Sequence, residues 1–240
     1  MPSCAPVRSL DDYGDLSDVP PHRLLRESPI LEFLRKAVPF EHVAVGGLDL
    51  EGYNFGHGHS IDTDMPPAFI ETYFAEGLGQ TDPIVVHGMN AVKPFTEEQA
   101  NDVVAPSRRL ESLKNFFGIN NRFFIPIARE GTVYGGVCFT SSRPFTTGET
   151  EFLIMTAEPL HRALTKPLMD RFAESVLKLT AGEVTCLELA STGLTSEEIA
   201  DVSKYQTETI NSYLKSATKK LGAANRVEAV ATAIRRGLLR

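Results

Sequence analysis

The stretch from Leu179 to Arg240 constrains this chain most. It is punctuated as four short helices. Thr180 with Glu183 and Thr195 with Glu198 have capping-box spacing, in which a hydroxyl takes an orphan amide and a carboxylate reaches back. Asn225 with Glu228 gives a related start signal. Gly193, Gly222 and Gly237 stand where three of the helices must stop. The punctuation predicts helices over 181–192, 196–202, 207–221 and 226–236, with only a few residues between the second and third: a helix-turn-helix layout. In the third helix Ile210, Leu214, Ala217 and Leu221 recur at helical spacing and face the core. Glu208, Asn211, Ser212, Lys215 and Lys219 then fall on the outer face, which offers an amide, hydroxyls and ammonium groups for base edges or phosphates.

These residues carry a specific resemblance. Leu179-Thr180, Glu183, Leu187, Ala190, Gly193, Glu198-Ile199-Ala200, Thr209-Ile210, Leu214, Lys220-Leu221, Asn225-Arg226 and Ala229-Val230 resemble the LuxR-type helix-turn-helix, a four-helix DNA-binding domain. The resemblance implies DNA contacts from Thr207, Glu208, Asn211, Ser212, Lys215, Lys219, Lys220 and Arg226. Two departures stand out. Ser203, Lys204, Tyr205 and Gln206 replace a turn that usually carries a leucine and a glycine, at an expected cost in packing and turn stability. Asn211 replaces a residue that is often basic, which weakens phosphate contact.

Net charge is −7, unusual for a DNA binder until it is divided. From Lys178 onward, nine Lys/Arg face seven Asp/Glu, a balance of +2, which leaves −9 on the first 177 residues. An acidic body with a mildly basic tail fits a regulator whose body binds something other than DNA. So weak a positive charge calls for a homodimer on a palindromic site. Three scattered cysteines, Cys4, Cys138 and Cys186, point to a reducing compartment. No segment has the apolar length of a membrane span, and the N-terminus lacks a secretory pattern. A cytoplasmic location is expected.

The preceding sequence predicts an α+β fold: an N-terminal α-β-α sandwich with a central antiparallel sheet, ahead of the all-α four-helix domain. Residues 1–20 read as a flexible tail, 21–166 as a small-molecule binding domain, 167–177 as a linker around Pro167, and 178–240 as the DNA-binding domain. Within the sandwich an amphipathic helix is expected over His22–Val38, interrupted near Pro29. Strands are expected at 42–47 and around Tyr53–Phe55. Helices are expected from Pro66-Pro67 to Gly77 or Gly79, from Asp82-Pro83, and over Ser107–Phe117 with Gly118 as stop. Arg122–Ala128 and Val133–Ser141 form a hairpin through Glu130-Gly131. Thr147 caps a long helix with a kink at Pro159.

No catalytic constellation or cofactor motif is present: there is no Walker loop and no nucleophile elbow. His57 and His59 have a spacing that could serve zinc, but no cysteine or acidic partner accompanies them, and a solvent-facing loop is favoured. Phe69 and Tyr73 share a helix face and precede Asp82. A buried phenol and carboxylate could hold an amide between them; alternatively Tyr73 packs at a rim and Asp82 caps the Pro83 helix.

Residues 22–165 resemble the autoinducer-binding domain of LuxR-type quorum-sensing regulators, chiefly in F-I-E-T-Y, D-P-I-V, K-P-F and F-G-I. The resemblance implies that Tyr73 and Asp82 hold the amide of an acyl-homoserine lactone-like signal, with Phe69, Phe124, Cys138 and Arg122 around it. The chain has no tryptophan. Phe69 and Glu97 occupy positions where the family commonly has one, so a ring carbonyl at Phe69 loses a hydrogen bond worth about 1 kcal/mol. Arg122 replaces a usual glycine; it could block the pocket, pair with Asp82, or bind an anionic ligand. Three functions are open: a ligand-responsive regulator, a ligand-independent regulator or antagonist acting through mixed dimers, and an enzyme with an appended DNA-binding module.

Overall fold

A computed structural model describes residues 22–25, 28–48, 55–56, 61–129, 131–175, 177–236 and 238–239. The chain divides into two compact units, 1–165 and 166–240. The acidic tail, His57 and His59 lie outside the described residues, as does Gly237.

The first unit is built on a six-stranded sheet. Its strands are β1 (His22–Leu24), β2 (His42–Gly46), β3 (Ile61–Thr63), β4 (Phe95–Thr96), β5 (Phe123–Arg129) and β6 (Thr132–Thr140), in the order β1-β3-β2-β6-β5-β4. Among the described strands every pairing is antiparallel except β1 with β3, so the central sheet is antiparallel as expected, with one parallel pair at its edge. Period-two alternation assigns the two faces. Val43, Val45, Phe123, Ile125, Ile127, Val137 and Phe139 form one core with helices α1 (Pro29–Ala37) and α6 (Thr147–Ser175). On the opposite face, Ala44, Cys138 and Phe124 stand in register across β2, β6 and β5. Helices α2 (Pro67–Ala75), α3 (Pro83–Gly88), α4 (Glu97–Val103) and α5 (Arg108–Phe117) belong to this second layer. This is an α-β-α sandwich.

Several local expectations change. The segment before Pro29 is strand β1, not helix: Arg23 is fixed by a two-pronged bond to buried Asp62 on β3, a partner that helical periodicity cannot show. The strand expected around Tyr53–Phe55 falls outside the described residues apart from Phe55, which stands in a turn and donates to the Val133 carbonyl. Strands β3 and β4 and helix α4 were not foreseen, although Thr96 and Gln99 complete a capping box. Helix α6 is capped by Thr146, one residue before the expected Thr147, and runs without a break through Pro159 and Pro167. The stretch 167–175, expected to be linker, is therefore helical.

In the second unit α7 (Ala181–Ser191), α8 (Ser196–Val202), α9 (Thr207–Lys220) and α10 (Arg226–Arg235) match the punctuation to within two residues. Both capping boxes are formed, and Asn225 accepts from the Glu228 amide. Gly193 and Gly222 adopt φ of 91° and 68°, the left-handed region that favours glycine. Leu187, Ile199, Ile210, Leu214, Ala217, Ala229 and Ala233 are buried in this unit. The unusual turn has its own supports: Ser203 Oγ accepts from the Tyr205 amide, and the Tyr205 ring meets Tyr213 edge-on at 5.2 Å.

Candidate ligand cavity and nucleic-acid face

The inner face of the sheet in the first unit is thinned by small residues, and a cavity opens above it. Ala44, Gly46, Gly136 and Cys138 form its floor, with Phe124 beside them. A Cβ on Gly136 would lie 2.1 Å from Phe124 Cζ, so the glycine is what allows the ring its position. The walls come from α2 (Phe69, Ile70, Tyr73), from Asp82 and α3 (Ile84, Val85), and from Met65, Ile119 and Arg122. Its volume, as space for the centre of a water molecule, is ≈ 80 Å³.

Among the described residues the lining is apolar apart from one polar cluster. Asp82 caps α3 through Oδ1, which accepts from the Ile84 amide at 3.0 Å. Its Oδ2 accepts from the Tyr73 hydroxyl at 2.9 Å and from Arg122 Nη1 at 2.6 Å. Arg122 Nε donates to Glu97 Oε1 at 3.0 Å, and the same oxygen accepts from Lys114 Nζ. Tyr73, Asp82 and Arg122 are all buried, with Asp82 only 2% exposed. Burial opposes the charge on Arg122, but the carboxylates of Asp82 and Glu97 outweigh it and raise its pKa. Burial likewise raises the Glu97 carboxyl, and Arg122 and Lys114 more than reverse this. Burial first, and then the neighbouring Asp82 charge, raise the Tyr73 phenol well above its ordinary value, so it remains a donor. Burial pushes the Cys138 thiol up to about 12, which makes it a neutral wall group rather than a nucleophile.

Asp82 caps α3 and also lines the cavity, and Tyr73 is buried in the cavity wall rather than packed at a rim. Of the three roles open to Arg122, ion pairing with Asp82 is the one observed. Phe69 stacks on Tyr73 with ring centroids 5.9 Å apart. Phe69, Tyr73, Asp82, Arg122, Phe124 and Cys138 all reach the same cavity. Sequence reasoning missed Glu97 and Lys114 as members of the cluster. The only available signal was that a charged residue at 97 and a new cation at 122 replaced uncharged family residues together.

In the second unit Glu208, Asn211, Ser212, Lys215 and Lys219 are exposed along α9, and Thr207 is half-buried at its start. Asn211 Oδ1 accepts from Ser196 Oγ at 2.6 Å, which fixes the amide against α8. Two candidate cations are engaged within the unit. Lys220 Nζ donates to both oxygens of buried Glu183, at 2.7 and 2.8 Å, and to the Lys178 carbonyl at 2.6 Å. Arg226 donates through Nη2 to the Leu194 carbonyl. Among the described residues no group of His, Cys, Asp and Glu could hold a metal ion, and no helix is long and apolar enough to cross a membrane.

Comparison with known proteins agrees with this division. Residues 29–164 match the family model for the autoinducer binding domain, and residues 177–233 match that for bacterial regulatory proteins of the luxR family. The transcriptional activator protein SolR of Ralstonia nicotianae is 30% identical, over 75% of this chain and 78% of that protein. The quorum sensing-dependent regulator RpaR of Rhodopseudomonas palustris is 28% identical, over 75% of each chain. The crystal structure of Escherichia coli SdiA aligns with a TM-score of 0.46 at 18% identity, covering 87% of this chain and 89% of that one. With more than half of its length under the first model and most of the remainder under the second, the chain belongs to the LuxR family of quorum-sensing transcriptional regulators, an autoinducer-binding domain joined to a helix-turn-helix.

Proposed function

We propose that this regulator senses one small, amide-containing signal, an acyl-homoserine lactone or a variant of it, and acts in the cytoplasm as a homodimer on palindromic DNA. The carrying observation is the cavity itself: an apolar chamber on the inner sheet face with a single buried polar cluster at Tyr73, Asp82 and Arg122. Such a chamber binds by excluding water from an apolar body and orients its ligand by a few hydrogen bonds. Phe69, Phe124 and Cys138 supply the apolar contact around those groups. On the DNA side, Thr207, Glu208, Asn211, Ser212, Lys215 and Lys219 form the reading face. Lys220 and Arg226 support it from behind, since their donors are bonded inside the unit. A second copy doubles a phosphate contact that one +2 module makes weakly.

One observation favours a second reading, a ligand-independent regulator or antagonist working through mixed dimers. The Tyr73 proton and one Asp82 oxygen already satisfy each other and Arg122. Native mass spectrometry of the full chain expressed with N-octanoyl-homoserine lactone separates the two. The sensor reading expects one lactone per chain, retained through purification. Ligand-free protein across a panel of neutral lactones and acyl amides would instead favour the antagonist.

A further inference from the structure

Arg122 is 5% exposed and lines the cavity, yet its hydrogen bonding is incomplete. A guanidinium carries five N–H donors on three nitrogens. Nε is taken by Glu97 and Nη1 by Asp82, whereas Nη2 is buried with no partner. Buried donors without partners are rare in folded proteins, because they keep the desolvation penalty and gain nothing back. The other polar groups of the cavity wall are already occupied: the Tyr73 proton goes to Asp82, and Asp82 accepts three hydrogen bonds. Among the described residues, Nη2 is therefore the nitrogen of this cavity-lining side chain left without an acceptor.

The charge of the cluster limits what can accept from Nη2. Arg122 and Lys114 face Asp82 and Glu97, two formal positive charges against two negative, all substantially buried. A neutral oxygen acceptor would satisfy Nη2 and leave this balance intact. A carboxylate would satisfy the same donor but add a buried negative charge beside two others, with no further cation in the described cluster to offset it.

Resting on the sensor reading above, we infer that the signal places a neutral acceptor, a carbonyl or ester oxygen, on Nη2 of Arg122. Arg122 is then a specificity-determining residue that excludes ligands bearing a carboxylate at that point. Its guanidinium stands in for a donor that the tryptophan-free wall otherwise lacks.

The test uses a matched pair, N-octanoyl-homoserine lactone and its ring-opened carboxylate, titrated calorimetrically into the full chain. The lactone is expected to bind at least about tenfold more tightly, some 1.4 kcal/mol. In the charge-balanced double variant E97Q/R122Q, which keeps Asp82 in the cavity wall, lactone affinity is expected to fall about tenfold or more. The ligand-free Tm of each protein shows whether the variant is folded. If it is not, the wild-type pair decides the matter alone. A carboxylate that binds as tightly as the lactone, or lactone affinity unchanged within about threefold in the folded variant, overturns the role of Arg122 while leaving the sensor standing. Binding by neither probe, with no lactone retained in the native spectra, removes the sensor reading and this inference with it.

Discussion

Asp82 accepts from the Ile84 amide, the Tyr73 hydroxyl and the Arg122 guanidinium, so three separate elements depend on one buried carboxylate. Asp82→Ala removes a cap and leaves Arg122 and Lys114 facing only Glu97. We expect a loss of about 3–5 kcal/mol, the usual result of stranding one partner of a buried pair. Tyr73→Phe deletes a single hydrogen bond and is expected to cost about 1 kcal/mol. Urea unfolding of the two variants checks the contrast, and equal costs would contradict it. Gly136→Ala makes a different demand, because the new methyl group occupies the position of the Phe124 ring. Displacing that ring is expected to cost about 1–3 kcal/mol and to weaken ligand binding by narrowing the cavity, which calorimetry on the folded variant checks. That Tyr73 and Asp82 line one cavity was legible because both residues sit at motif positions near one another in sequence; that the phenol donates to the carboxylate itself was not. The remainder of the cluster was not, since Glu97 meets Arg122, and Lys114 meets Glu97, only through the folding of α4, α5 and β5.

Helices α7 to α10 were legible almost residue for residue because their signals are local: a hydroxyl and a carboxylate three apart, and a glycine where the chain reverses. Strand β1 was misread because three residues hold no period, and its identity rests on the long-range Arg23–Asp62 pair. Within α9 the structure separates two lysines that sequence treats alike. Lys215 is exposed and free of packing duties, so Lys215→Ala is expected to leave Tm unchanged and to weaken DNA binding and its salt dependence. Lys220 neutralises Glu183, which is 3% exposed and also closes the α7 capping box. Lys220→Ala is therefore expected to cost about 1–3 kcal/mol of stability, the penalty of leaving a buried acceptor without its partner. Swapped outcomes in thermal melts and DNA titrations would contradict the division. On α6, His161 Nε2 lies 3.1 Å from both the Gly46 and Gly47 carbonyls, and burial lowers its pKa from 6.5 to about 4. The unfolded chain then takes up this proton first. Stability is complete above pH 6.5 and is lost as pH falls from 6.5 towards 4, by about 3 kcal/mol in all. His161→Gln is expected to flatten the upper part of that slope, between pH 6.5 and 4.5, where ordinary carboxylates contribute little. An unchanged slope in urea midpoints would remove His161 as its source.

The chain as a whole keeps its two chemistries apart. An acidic body carries −9 and the cavity, and a basic tail carries +2 and the exposed polar face of α9. Residues 167–175 are helical where the sequence alone suggested a linker. A regulator of this kind works only if the two sites are coupled. Coupling has a defined size, the ratio of DNA affinities with and without ligand, and in regulated proteins it is commonly 1–3 kcal/mol. The direct measurement is fluorescence anisotropy of the full chain on a DNA site selected from random sequence, at fixed salt, with and without saturating N-octanoyl-homoserine lactone. A ligand-responsive regulator gives DNA dissociation constants that differ by about tenfold or more between the two conditions. Identical constants, with calorimetry showing the lactone bound, would contradict it.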